Sequence, residues 1–202
     1  MCCDIMSTGF SAIEHAHVKI GDSVAVYAQG AIGLCATGAA KLSGATTIIA
    51  VDSNPVRLQM SKEMGATDII NFKEKNPLEE IPKLTHGRKV DVAVEALGTQ
   101  PTFENCLRSI KAGGCVSSLG VYSVDLKLPL DAMGAGLGDH HLIFSLCPGG
   151  KERMRRLMEV VRSKKFDTMK LITHHFKFDE IIQAYDVFSQ QKDGIIKCII
   201  SF

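Results

Sequence analysis

The residues with the clearest chemical potential form a turn at positions 28–33, which reads Ala-Gln-Gly-Ala-Ile-Gly. The spacing is that of the glycine-rich frame that receives a pyrophosphate between a strand and a helix, with alanine in place of the first glycine. Gly30 stands where the backbone must approach the phosphates, and Gly33 where the helix packs closely on the strand. Alanine fits at position 28 if its φ is negative, which is what we expect. Taken alone, the turn also fits an α/β protein that binds no phosphate.

A second polar residue, Asp52, follows the next hydrophobic run and lies 19 residues after Gly33. An acid at this distance can accept hydrogen bonds from the adenosine ribose hydroxyls and would repel a 2′-phosphate. The next three residues include no arginine, although Arg57 could reach the ribose or the phosphate edge. The alternative is that Asp52 is simply an acid at the N-terminus of the helix that begins at Pro55. The two features together predict a dinucleotide site that prefers NAD.

The elements that would position these residues alternate along the chain. Short hydrophobic runs predict strands, and amphipathic or alanine-rich segments predict helices about ten residues long. Strands joined through helices imply right-handed crossovers and a parallel sheet covered on both faces, so the predicted fold class is α/β. The predicted strands are 23–28, 46–51, 68–71, 91–95, 115–119, 141–146 and 195–200, and the predicted helices are 32–42, 55–64, 78–84, 102–110, 151–162 and 178–188.

The composition limits the binding partners and the cellular compartment that we expect for this protein. The 202 residues include 23 Lys and Arg against 22 Asp and Glu, so no bulk charge points to nucleic acid or an anionic membrane. We see no apolar run long enough to cross a membrane and no signal peptide. The seven cysteines form no C-x-x-C pair, which argues against a cysteine-only zinc site and favours buried thiols in a reducing cytoplasm. We therefore expect a cytoplasmic protein with no nucleic-acid or membrane partner.

Several stretches taken together resemble the zinc-dependent medium-chain alcohol dehydrogenases, over the nucleotide-binding and C-terminal portion of such an enzyme. The resemblance implies a Rossmann doubly wound parallel sheet with an appended C-terminal segment that belongs to the catalytic domain. It divides the chain into residues 1–6, a remnant of the zinc-ligand segment, 7–146, the NAD-binding domain, and 147–202, the C-terminal part of the catalytic domain. The matching stretches are 4–10, 24–34, 49–57, 65–68, 90–99, 111–114 and 119–122, with Lys197 in the last strand.

The resemblance also implies roles for individual residues. Asp4 matches the last ligand of the catalytic zinc, and Thr8 a residue that packs against the nicotinamide. The remaining matches are to cofactor-binding positions: Gly30, Ala31, Ile32 and Gly33 at the pyrophosphate, Asp52 and Arg57 at the adenosine ribose, Ala96, Leu97 and Gly98 on the adenine and nicotinamide-ribose side, Gly120 and Val121 at the carboxamide, and Lys197 near the pyrophosphate, where it could equally be a solvated lysine.

The function implied is hydride transfer between an alcohol and NAD, with a ketone or aldehyde as the oxidised substrate and zinc as Lewis acid in the full-length enzyme. The other zinc ligands of the family would lie before Met1, so we find no complete catalytic set and expect this chain alone to bind NAD without turnover. Two alternatives stay open: a noncatalytic truncated dinucleotide-binding or dimerisation module, and a zinc-free quinone reductase, against which Asp4 argues. The family also implies a homodimer or homotetramer that pairs through strand 141–146.

Overall fold

Six parallel strands form the central sheet in the computed structural model, which describes all 202 residues. The spatial order is β3-β2-β1-β4-β5-β6, so the chain winds outward in one direction from β1 and then in the other from β4. This is the doubly wound order expected of a Rossmann fold. The strands are β1 (Ser23–Tyr27), β2 (Thr47–Asp52), β3 (Asp68–Asn71), β4 (Val90–Glu95), β5 (Ile110–Ser118) and β6 (His141–Phe144).

Helices cover both faces of the sheet because the strands carry apolar side chains on both faces. Val24 and Val26 of β1 belong to one buried cluster, whereas Ala25 and Tyr27 belong to the other. The first cluster holds the apolar residues of α1 and α2, and the second holds those of α4 and α5. The helices are α1 (Ile5–His15), α2 (Ala31–Leu42), α3 (Pro55–Met64), α4 (Pro77–Leu84), α5 (Gln100–Ser109), α6 (Lys151–Arg162) and α7 (Ile181–Ser189).

The C-terminal segment carries a second, two-stranded parallel sheet made of β7 (Ile172–Lys177) and β8 (Lys197–Ser201). The segment packs against helices α1 and α2 through Phe166, whose ring lies edge-on to Phe10 of α1 at 5.4 Å and covers Gly38 of α2. Leu157 and Phe166 are buried in the same cluster as α1 and α2. The division of the chain at residue 147 stays a prediction.

The predicted elements agree closely with the observed ones in position. The helices at 55–64 and 151–162 and the strand at 68–71 coincide with their observed bounds, and α4 forms although it contains Pro82. β7 is a strand beyond those predicted, and β5 begins five residues before the predicted start, at Ile110. No helix combines the length and the apolar character that a membrane crossing requires.

Candidate functional site

The turn between β1 and α2 leaves the first residues of the helix open. Gly30 is the N-cap residue, with φ −68° and ψ −177°, and no side chain caps the helix at this end. By contrast, Asn54, Asn76 and Thr99 cap α3, α4 and α5 with their side chains. A methyl group on Gly30 would meet no atom within 4 Å. The fold itself therefore does not require glycine here, and the open space suits a pyrophosphate placed against free helix N–H groups.

Gly33 differs from Gly30 because the protein's own packing requires it. A methyl group on Gly33 would overlap the carbonyl oxygen of Ala28 and lie 3.0 Å from its carbonyl carbon. The start of α2 thus contacts the end of β1 directly, which is the role predicted for this glycine.

Ala28 contradicts the backbone conformation expected from the sequence. Its φ is +71°, in the left-handed region, and not negative. The Ala28 N–H donates to the Val51 carbonyl at 2.9 Å while its own carbonyl lies against Gly33. The turn therefore has the same geometry as one with glycine at this position, at a cost of about 1–2 kcal/mol for the alanine side chain.

Asp52 ends β2 beside this turn, and its carboxylate is held in one orientation by three backbone groups. It is 7% exposed. One oxygen accepts from the Gln29 N–H at 2.6 Å, and the other accepts from the N–H groups of Ser53 and Asn54 at 2.7 and 2.8 Å. Since Asn54 is the N-cap of α3, Asp52 is not the capping residue. Asp52 instead ties the glycine turn to the end of β2.

A cleft of about 660 Å³ opens at this edge of the sheet and is lined by Asp52, Arg57 and Leu97 among others. Arg57 reaches the C-terminal segment, where its Nη2 donates to the Ile195 carbonyl at 3.3 Å. The Nε atom of Arg57 is buried without a hydrogen-bond partner. The cleft therefore holds a fixed carboxylate and an incompletely bonded guanidinium close to the turn.

On the other side of the turn, Glu95 ends β4 and is completely buried. Its Oε1 accepts from the N–H groups of Leu97 and Gly98, both at 2.9 Å, and from the Thr102 hydroxyl at 2.6 Å. Its Oε2 accepts from the Tyr122 hydroxyl at 2.8 Å. These bonds replace the water that the carboxylate loses on burial.

The loops after β4 and β5 meet at two glycines. Gly98 has φ +91°, and a methyl group there would lie 2.9 Å from the backbone nitrogen of Val121. A methyl group on Gly120 would overlap the Glu95 carboxylate and Gly98. Burial first, and then the Glu95 carboxylate, raise the pKa of the Tyr122 hydroxyl well above its ordinary value, so Tyr122 stays a donor. The structure thus brings together residues 96–98 and 120–121, as the resemblance implies.

A family model described as zinc-binding dehydrogenase matches residues 31–163, about two thirds of the chain. The chain belongs to the zinc-binding dehydrogenase family. An alcohol dehydrogenase of Cupriavidus necator is 56% identical over 200 residues, which are 99% of this chain and 55% of that protein. The NADP-dependent isopropanol dehydrogenase of Thermoanaerobacter brockii is 38% identical over 99% of this chain and 58% of that protein.

Solved structures of the family agree. A zinc-dependent alcohol dehydrogenase 2 from Streptococcus superposes with a TM-score of 0.89 at 32% identity, over 98% of this chain and 56% of that one. The alcohol dehydrogenase TADH from Thermus sp. ATN1 gives the same TM-score at 26% identity, also over 98% of this chain and 56% of that one. The chain spans a little over half the length of the relatives that it matches.

Asp4, the residue that the resemblance matches to a zinc ligand, immediately precedes α1. Asp4 is exposed, and one of its oxygens accepts from the buried Thr8 hydroxyl at 3.2 Å. No group of three or more His, Cys, Asp or Glu side chains in the chain is arranged to hold a metal ion. The residues present therefore do not form a zinc site by themselves.

Of the predicted site residues, Asp52, Arg57 and Leu97 line this cleft, and Lys197 does not. Its ammonium group lies 5.9 Å from the centre of the Phe188 ring, beside α7. Its role at a pyrophosphate stays a prediction. Conversely, Glu95 was not predicted from the sequence as a site residue. The pattern that could have found it is an acid at the end of a buried strand, a position that Asp52 also occupies.

Proposed function

We propose that this chain binds NAD across the C-terminal ends of its strands and forms the cofactor-binding part of an alcohol dehydrogenase. The observation that carries the proposal is the buried Asp52 carboxylate, held by Gln29 of the very turn whose Gly30 opens to free space. In doubly wound folds, dinucleotides bind at the point where the strand order reverses, here between β1 and β4.

The charge of Asp52 favours NAD over NADP. Asp52 is buried and fixed, so a 2′-phosphate on the adenosine ribose would place a second anion against a carboxylate that cannot turn away. Two observations favour NADP instead. Arg57 lines the same cleft, and several relatives, including that of T. brockii, are named as NADP-dependent.

Calorimetric titration with NAD and with NADP separates the two cofactors. We expect the wild-type chain to bind NAD at least about tenfold more tightly, the scale of one unfavourable buried charge contact. Asp52→Asn should narrow that ratio, whereas Asp125→Asn, an exposed acid outside the cleft, should leave it unchanged. Tighter binding of NADP by the wild type would overturn the cofactor assignment.

The residues of this chain would orient the cofactor and exclude water. Backbone N–H groups at residues 30–33 would receive the pyrophosphate, Asp52 would accept from the ribose hydroxyls, and the loops at Gly98 and Gly120 would enclose the nicotinamide half. Bound NAD supplies a ring that accepts or returns hydride. Holding that ring in a single orientation is the contribution of the protein to the rate.

The substrate class follows from the names of the relatives, several of which act on alcohols or isopropanol. We therefore propose a small alcohol and its ketone or aldehyde, which favours an alcohol dehydrogenase over a quinone reductase. Asp4 would contribute one carboxylate to the zinc site of the complete enzyme, and no group of three or more metal-ligating side chains in this chain could hold the ion. Residues 147–202 would complete the catalytic domain. All seven cysteines are free, which fits a reducing cytoplasm.

We further propose that copies of the chain pair through β6. This strand bonds to β5 on one edge only, and Leu146 beyond it is 84% exposed. Such an edge can pair with its own copy across a two-fold axis. Light scattering should give a dimer or tetramer that Leu146→Asp weakens. Leu137→Asp, at an equally exposed leucine outside the edge, is the matched control, and a wild type that is strictly monomeric would refute the pairing.

A further inference from the structure

The Glu95 carboxylate joins two loops that are far apart in the sequence. It accepts hydrogen bonds from Leu97 and Gly98 in the loop after β4, and from Tyr122 in the loop after β5. Tyr122 is also bonded to Ser118 of β5 at 2.7 Å. A carboxylate taken out of water is costly unless it is hydrogen-bonded in this way. Both loops therefore depend on one buried group for their relative position.

The location of these loops follows from the strand order. Asp52 lies at the end of β2, on one side of the reversal point between β1 and β4. A dinucleotide whose adenosine ribose is at β2 must extend towards the ends of β4 and β5. Its nicotinamide half then reaches the loop after β5, where Val121 is 83% exposed, whereas Leu97 in the loop after β4 also lines the cleft with Asp52.

The space around Glu95 leaves the loops no alternative packing. A methyl group on Gly120 would overlap the carboxylate itself, and one on Gly98 would lie 2.9 Å from the Val121 nitrogen. The two loops and the carboxylate are thus in mutual contact. A change at Glu95 would alter hydrogen bonds to both loops, and a binding site depends on supporting residues that hold its geometry closely.

We propose that Glu95 is a positioning residue for the nicotinamide half of the dinucleotide. Glu95 is completely buried, so it acts through the two loops and not through contact with the ligand. The proposal rests on the proposed binding of NAD. The proposal predicts that a change at this carboxylate weakens binding of the nicotinamide half of the cofactor more than binding of the ADP-ribose half.

The decisive experiment is calorimetric titration of Glu95→Gln with NAD and with ADP-ribose, which lacks the nicotinamide. Glutamine keeps the size and one acceptor oxygen but presents an NH2 group to the Gly98 N–H and the Tyr122 hydroxyl. We expect the Kd for NAD to rise about tenfold and that for ADP-ribose to change by less than about twofold, since hydrogen bonds to charged groups are on this scale.

Tyr122→Phe is the second variant and keeps the proposal testable if Glu95→Gln folds poorly. It removes one donor to the carboxylate while retaining the ring that packs against Phe103 at 6.2 Å. We expect a smaller loss of affinity with the same selectivity: the Kd for NAD should rise about threefold, and the Kd for ADP-ribose should not change. Ile81→Val in α4 trims a buried side chain that is not bonded to Glu95, so it should leave both affinities unchanged.

The outcomes separate this inference from the cofactor proposal. Equal losses for NAD and ADP-ribose in Glu95→Gln would mean a general structural role, and unchanged affinities would mean no role; either result overturns the inference alone. A wild-type chain that binds neither compound would refute the cofactor proposal and this inference together. A selective loss for NAD in both variants supports the inference.

Discussion

The two glycines of the β1–α2 turn respond in opposite ways to the same substitution. Gly33→Ala places a methyl group into the Ala28 carbonyl, which is backbone and cannot rotate away. Overpacking costs about 1–3 kcal/mol, and a rigid neighbour puts this site near the upper end. For a chain of this length the melting temperature should fall by about 6–12 °C.

Gly30→Ala should leave stability nearly unchanged but weaken cofactor binding. The methyl group meets no protein atom, and the φ of −68° suits alanine. Lower freedom of the unfolded chain stabilises by about 0.4–1 kcal/mol, and the poorer N-cap offsets a similar amount. The methyl group would occupy the space proposed for the pyrophosphate, so the Kd for NAD should rise at least about tenfold, or 1.4 kcal/mol.

Thermal denaturation and calorimetric titration measure the two effects on each variant. Gly149→Ala is the matched control because a methyl group there also meets no atom and the residue lies outside the turn. Two results would refute these expectations: Gly30→Ala binds NAD as tightly as this control does, or Gly33→Ala has the same melting temperature as the wild type.

Further expectations concern the backbone, the thiols and the pH response. Ala28→Gly should raise the melting temperature by about 2 °C, because relief of the left-handed alanine exceeds the entropic cost of glycine; an unchanged or lower value would contradict the strain. Burial raises the pKa of the Cys35 thiol to about 12, so at about pH 8 iodoacetamide should modify the exposed Cys3 first, as mass spectrometry would detect; equal rates would be inconsistent with this. Burial lowers the pKa of His140 below 6.5, so the folded state binds fewer protons than the unfolded state in acid. The free energy of unfolding should then fall as the pH drops below about 6.5. His140→Gln should reduce the slope of this pH dependence, whereas His17→Gln, at an exposed histidine, should not change it. Denaturant titrations at one pH above and one pH below about 6.5 test this.

The sequence predicts β1 and β2 well because each is a short run of mostly apolar residues, whereas the first five residues of β5 include Lys111 and two glycines and were missed. The turn at 28–33 lies between a strand and a helix and Asp52 ends the next strand, as the sequence predicts; their role in binding a cofactor stays a prediction. The φ of Ala28 was predicted wrongly because residue preference favours negative φ for alanine, whereas the contact of its carbonyl with Gly33 is a tertiary constraint. The Glu95 network could not be predicted in full, since its partner Tyr122 is 27 residues away.

The uncapped end of α2 has a consequence for the life of the protein in a cell. Side chains of Asn54, Asn76 and Thr99 each accept from one or two N–H groups in the first turn of α3, α4 and α5, whereas α2, like α1, α6 and α7, has no side-chain cap. A dinucleotide bound there would complete the helix, and at a hundred times its Kd it would add about 2.7 kcal/mol to the stability of the folded state. The supply of cofactor would then set the fraction of newly made chains that escapes proteolysis, so that abundance of the protein follows abundance of its ligand.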